Sequence, residues 1–206
     1  MREPRRIDVP RDRLQHWVDG FAQRHGAPTW TVDGAGYRAT AANGAWATFS
    51  SWTPAQSLPP DLLAWSEPPT TFVVILIRRG GYAVGVVHAG ELVAHKCGTR
   101  YVQSRTAAGG WSQQRYARRR SNQADDLVGV VSDRVAVMIA GTTAGGLVLG
   151  GDKTLAHTVT GEFRLQHLAA LPKREFFDLP DPRMRVLISV AARSASIAVD
   201  VSNGET

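Results

Sequence analysis

TFVVILIRRGGYAVGVVHAGELVAHKCG, residues 71–98, is the stretch that decides the fold. From Thr71 to Ile77 every side chain is apolar or β-branched, the composition of a strand buried on both faces. Arg78-Arg79-Gly80-Gly81 then turns the chain, and YAVGVVHAG and ELVAHKCG supply two more strands joined at Ala89-Gly90. Residues 71–97 therefore predict a three-stranded antiparallel meander, which the chain leaves from its far edge.

What leaves that edge is HKCGTRYVQSRTAAGGWSQQRYARRRSNQ, residues 95–123. It holds seven cations, Lys96, Arg100, Arg105, Arg115, Arg118, Arg119 and Arg120, and no carboxylate. One sign of charge around a Gly109-Gly110 joint is a poor way to build a core and a good way to reach into something anionic. We expect residues 98–111 to project from the body, with Arg115 to Arg120 beside them on one basic face. Beyond the glycines, Tyr116, Ala124, Leu127, Val131, Val135 and Met138 mark the apolar face of a long helix from about Ser112 to about Ile139. The arginines fall in its first turns, where cations oppose the helix dipole at a cost of a few tenths to about 1 kcal/mol. A chain that tolerates this cost has a use for the charges.

Further on, GGLVLG (145–150) reads as a short buried strand, with Asp152, Lys153 and Thr154 at its tip. A helix is predicted from Glu162 to Ala170, then a strand REFFDL. After Asp181-Pro182, RMRVLISVAARSASIAV reads as a closing helix, against the pull of its β-branched residues. Three antiparallel strands, a long helix and alternating strand and helix units describe an α/β fold with a mixed sheet.

In the other direction, Leu14, Trp17, Val18 and Phe21 recur at helical spacing after a basic tail, with Pro10 at the first turn and Gly26 at the end. TWTV, YRAT and AWATF follow as a small meander, broken by the turn dipeptides Asp33-Gly34 and Asn43-Gly44. Its tryptophans, Trp30, Trp46 and Trp52, could stack bases, but aromatics in a small sheet are more often core, and that is the reading taken here. Prolines 54, 59, 60, 68 and 69 bracket a short helix at Leu62–Trp65. This connector divides the chain into an N-terminal helix-plus-meander extension, residues 1–69, and a core, residues 70–206.

Composition sets the outer bounds. A chain of 206 residues with 43% hydrophobic content fills one ordinary domain, or one with a modest extension. Its net charge of +6 and pI near 10.1 point to a polyanionic partner, though the clustering of the charge says more than its sum. The single cysteine, Cys97, rules out an internal disulfide framework and a cysteine-based metal site, and reads as a small buried residue at a strand end. The N-terminal MREPRRIDVPRDR has no apolar export core, and the longest apolar run, Phe72 to Ile77, is too short to cross a bilayer. A cytoplasmic protein with no membrane partner is expected.

GGWSQQRYARRR, residues 109–120, resembles the catalytic-loop signature G-G-Q-S-x-x-R-F-x-R-x-R of archaeal and eukaryotic class-1 peptide release factors. Gly109, Gly110, Ser112, Arg115, Arg118 and Arg120 match, with Tyr116 in place of phenylalanine. The order around it agrees over roughly residues 70–180: apolar strands and a His-Lys pair before, a long helix and G-L-V-L-x-G after. One departure matters. Trp111 stands where those factors have glutamine, and Gln113 completes a G-x-x-Q from Gly110. That arrangement resembles the Vms-like release factor (VLRF) family, ribosome-rescue relatives of the class-1 factors, and in particular its actinobacterial-type branch. The resemblance implies an RNase H-like core, peptidyl-tRNA as substrate and the large ribosomal subunit as partner.

Chemistry gives reasons for those residue types. Hydrolysing the ester between a peptide and the tRNA 3′ end means placing one water beside a bond deep in an RNA-walled cavity, which only a slender loop reaches. Gly109 and Gly110 allow close backbone approach, while Lys96, Arg100, Arg105, Arg115, Arg118, Arg119 and Arg120 neutralise phosphates, with Trp111, Ser112 and Gln114 also against RNA. A neutral amide orients water and donates to a developing oxyanion, and Gln113 is the first choice for it, with Gln114 its rival. The plain alternatives are a flexible Gly-Gly turn and a solvated arginine face. No metal or cofactor is expected: the histidines lack ligand spacing, and the strands between Thr71 and Cys97 hold only Glu91 as carboxylate. Two other functions stay open, cleavage of the tRNA phosphodiester near its 3′ end and non-catalytic docking on tRNA or ribosome. The residues before Thr70 offer no long-range codon reader, so codon-independent action is expected.

Overall fold

The structure, a computed structural model, describes residues 4–99 and 111–204, with side chains at all of these except 111–122. In chain order the elements are β1 (Arg5–Val9), a single 3-10 turn, α1 (Leu14–His25), β2 (Thr29–Asp33), β3 (Gly36–Thr40), β4 (Trp46–Ser50), α2 (Leu62–Trp65), β5 (Thr71–Arg78), β6 (Gly81–His88) and β7 (Glu91–Thr99). There follow α3 (Trp111–Met138), β8 (Gly146–Gly151), α4 (Lys153–Gly161), a second 3-10 turn, α5 (Gln166–Ala169), β9 (Lys173–Phe176), α6 (Met184–Ala195) and β10 (Ile197–Ser202). The chain forms two compact units, residues 1–68 with 192–206, and residues 69–191.

The larger unit is a five-stranded mixed sheet in the order β7-β6-β5-β8-β9. β5, β6 and β7 form the antiparallel meander, and β8 and β9 add to its other side in parallel. β5 is central because all seven residues from Thr71 to Ile77 are buried, as their apolar run demands. The hairpin at Ala89-Gly90 takes positive φ at both positions, 49° and 84°, the mirror-image turn whose twist suits paired strands. On one face of the sheet Val73, Ile75, Ile77, Tyr82, Val84 and Val86 meet Leu127, Val128, Val131 and Val135 of α3 in a single core. Leu155, Ala156 and Val159 of α4 join them.

α4 differs from expectation, which had placed a helix only from Glu162 to Ala170. Asp152 accepts a hydrogen bond from the Leu155 amide at 3.1 Å and so starts the helix directly after β8. Leu155, Ala156 and Val159 then point inward at helical spacing, overriding the β-branched Thr154, Thr158, Val159 and Thr160. The predicted helix is reduced to a 3-10 turn and the four-residue α5.

The smaller unit is a five-stranded antiparallel sheet in the order β1-β10-β4-β3-β2, with α1 on one face. Two expectations are corrected here. The basic tail contains a strand: Ile7 and Val9 pack into the core while Arg6 faces Asp200 and Asp8 accepts from Arg193 Nε at 2.7 Å. The closing segment is helix only to Ala195; Ile197, Ala198 and Val199 then follow their β-branched preference and are fully or nearly fully buried between β1 and β4. Residues 192–206 therefore belong with the N-terminal unit and not with the core to which they had been assigned. The pairing was hidden because its partners lie at opposite ends of the chain.

The tryptophans divide. Trp30 packs on Phe49, and buried Trp52 donates its indole N–H to the Ser194 carbonyl at 2.8 Å, both as core residues. Trp46 lies on the polar face, with the Arg38 guanidinium 4.1 Å from its ring centre.

Candidate functional site

β7 is an edge strand, and it delivers the chain to the cationic stretch. Lys96 is exposed and pairs with Val84, on the sheet face that Tyr82 and Ala94 share with α3. His95 and Cys97 take the opposite face. At the root of the stretch Gly98 pairs with Tyr82, and a Cβ at Gly98 would come within 2.5 Å of the tyrosine ring. The absence of a side chain lets that ring lie flat across the strand end. This contact was not read from the sequence; the cross-strand Tyr-Gly pair was the signal that could have shown it.

Arg100, Arg105, Gly109 and Gly110 lie outside the described residues, as does the expected projection over 100–110; Gly98 and Thr99, the start of that segment, are the last residues of β7, and Trp111, its end, is the first of α3. α3 begins at Trp111, so the backbone of Trp111, Ser112, Gln113, Gln114, Arg115, Arg118, Arg119 and Arg120 is helical from the residue after the glycine pair. No acidic residue stands in its first turn to complement the dipole. Four turns further on, Leu127, Val128, Val131 and Val135 are buried, which fixes the C-terminal half of the helix to the sheet. One helix thus carries both the arginine positions and the buried residues that anchor it, and the edge strand carries Lys96. The two elements pack on each other.

Cys97 is half-buried, not the buried residue expected, and burial pushes its thiol above the ordinary value while the charge of Lys96 pulls weakly the other way. A thiol so perturbed is not an activated nucleophile at neutral pH. Among the described residues no cluster of three or more His, Cys, Asp or Glu could hold a metal ion. Three of the six histidines have side-chain partners: His88 with the Thr71 hydroxyl at 2.8 Å, His25 with Asn43 at 3.1 Å, and His157 with Glu175 at 3.4 Å. Among the described residues no helix is long and apolar enough to cross a membrane.

Residues 70–200 match the family model described as the Actinobacteria/chloroflexi VLRF1 release factor. No curated protein matches the chain. Similar solved structures include the Vms1 mitochondrial localization core, at 11% identity and a TM-score of 0.47 over 79% of this chain and 75% of that one. An archaeal protein is similar at 12% identity and a TM-score of 0.39, covering 76% and 52%. The archaeal translation termination factor aRF1 is similar at 11% identity and a TM-score of 0.37, covering 76% and 51%. The chain spans about half the length of these two archaeal proteins.

Proposed function

We propose, from the premise that the chain belongs to the Actinobacteria/chloroflexi VLRF1 release-factor family, that it is a ribosome-rescue peptidyl-tRNA hydrolase acting in the cytoplasm without regard to the codon. The observation that carries the reading is that the family match spans the whole stretch from Lys96 to Arg120, with its seven cations and G-x-x-Q from Gly110. Phosphates of tRNA and of the large subunit are the polyanion those cations would meet. Gln113 would orient the attacking water and donate to the oxyanion as the ester opens, and Gly109 and Gly110 would let the backbone close on the tRNA end.

The ester is favoured over the phosphodiester because an amide is a weak proton acceptor and phosphodiester cleavage asks for an acid and a base, or a metal, beside phosphorus. Product analysis tests it: purified protein is incubated with labelled peptidyl-tRNA, with and without large subunits, and the tRNA 3′ end is resolved to the nucleotide. Free peptide and a tRNA that can be aminoacylated again are expected. Shortened tRNA would replace this reading with an endonuclease, and tight binding with no product would replace it with a docking module. Release that varied strongly with the A-site codon would overturn codon independence.

A further inference from the structure

The smaller unit contains a half-open cavity of about 530 Å³, and every residue lining it lies outside the matched stretch 70–200. Its floor is apolar, formed by Ile7 of β1, Val201 of β10 and the ring of Trp17, which is stacked on Phe21 at 5.8 Å and an interplanar angle of 15°. Its rim carries two arginines where the folding pattern would put apolar side chains. Arg5 is two residues before Ile7 and opposite Val201, on the face of the sheet that α1 covers, whereas Arg6 and Asp8 point the other way and are ion-paired. Arg24 ends the stripe of α1 that holds Trp17 and Phe21, and its guanidinium lies back along the helix toward Gly20, 3.4 Å from where a Cβ there would stand. Among the described residues neither Arg5 nor Arg24 has an ion-pair partner, and no carboxylate lines the cavity.

The remaining wall is fixed. Gly204 takes φ +77° with the site of its Cβ 2.9 Å from the Asn43 carbonyl and the Ala45 amide, so the segment after β10 is held against the Asn43-Gly44 turn. Asn43 is in turn within 3.1 Å of His25 at the end of α1. Ser202 and Asn203 complete the lining on that side.

We propose that this cavity binds a nucleoside phosphate, with the base against Trp17 and the Ile7–Val201 floor and the phosphate between Arg5 and Arg24. A bare anion would leave the apolar floor and most of the volume unused, whereas pockets of about 300–1,000 Å³ suit ligands of nucleotide size. An aromatic surface joined to unpaired guanidinium groups is what a base and its phosphate require. The nucleotide comes either free or as one unit of an RNA strand, and the site shares no residue with the proposed hydrolytic stretch.

The test is an amide and indole N–H NMR titration of the full chain with AMP, UMP, adenosine, inorganic phosphate, a hexaribonucleotide and an oligoglutamate peptide. AMP or UMP is expected to shift the Trp17 indole and the amides of Val201 to Gly204, with adenosine and phosphate at least about tenfold weaker. The double substitution Arg5→Ala with Arg24→Ala, at two exposed side chains, is expected to weaken the nucleotide at least about tenfold with the melting temperature unchanged. Trp17→Phe keeps an aromatic floor and serves as the second variant, with weakened binding read at the same amides. A hexanucleotide tighter than AMP at those amides assigns the site to an RNA strand, and one no tighter assigns it to a free nucleotide. The proposal is overturned if neither nucleotide nor oligonucleotide moves these signals, if the double variant binds unchanged, or if phosphate alone or oligoglutamate binds as well as AMP.

Discussion

β5 and the stretch from Lys96 to Arg120 belong to one unit and are built by opposite rules. β5 has no charge before Arg78, and its first seven residues are buried, so what it specifies is a place in a core. The later stretch has one sign of charge only, and its described cation, Lys96, is exposed. The first region gains stability from every residue, whereas α3 opens on the uncharged Trp111, Ser112, Gln113 and Gln114, with no acidic residue to complement its dipole. The difference teaches where substitutions should change folding and where they should change only chemistry.

The largest expected effect would come from Gln113→Ala. Loss of one oxyanion donor should lower peptide release about a hundred- to thousandfold while leaving the melting temperature unmoved. Single-turnover release assays beside thermal unfolding check both halves. Full activity in the variant would pass the role to Gln114, and a large fall in melting temperature would erase the contrast with β5. The mirror experiment is Ile75→Ala, in a residue with no exposed surface at the centre of the sheet. A loss of about 2–5 kcal/mol in urea unfolding is expected, with release per folded molecule unchanged.

A smaller effect separates binding from folding. Replacing Arg118, Arg119 and Arg120 together with alanine should weaken tRNA or ribosome association and flatten its dependence on salt by up to about 2.1 to 2.7 units of slope, roughly 0.7 to 0.9 per phosphate contact. Stability should hold, because positions 118–120 lie in the third turn of α3, beyond the first turn where the helix dipole acts on a charge. An unchanged salt slope would show a solvated helix face, and the contrast would then be one of composition without function.

Much of the fold could be read because its signals are local. The β5-β6-β7 meander follows from unbroken apolar runs between turn dipeptides, and α3 from one apolar stripe running from Ala124 to Val135. What could not be read depends on distant partners. β1 looks like a basic tail until β10 is beside it, and Asp8 and Arg193, 185 positions apart, give no mutual sign in the sequence. α4 was missed for another reason: a capping aspartate outweighed four unfavourable side chains, a balance that counting propensities does not show. Of the candidate site, the helix that bears the arginine positions was legible. Tyr82 lying over Gly98 was not, because the contact exists only once β6 and β7 are in register.

The smallest effect tests the border between the two regions, at Cys97. It stands beside Lys96 near the end of β7, half-buried, where the core rule gives way to the cationic one. If Lys96 dominated, the thiol would ionise early and react fast; instead burial is the larger influence and holds the proton on sulfur. Folded protein should therefore alkylate with iodoacetamide more slowly than urea-unfolded protein as pH climbs through the ordinary thiol range, the two rates converging only at higher pH. The sign for stability follows from the same shift. Below the unfolded thiol's pKa both states keep the proton and nothing changes; above it the unfolded chain loses the proton first, so stability falls slightly until the folded thiol ionises as well. Cys97→Ser should remove that slope from the pH profile of urea unfolding, because serine does not titrate there. A native thiol that reacted faster than the unfolded one would place Cys97 on the cationic side of the border.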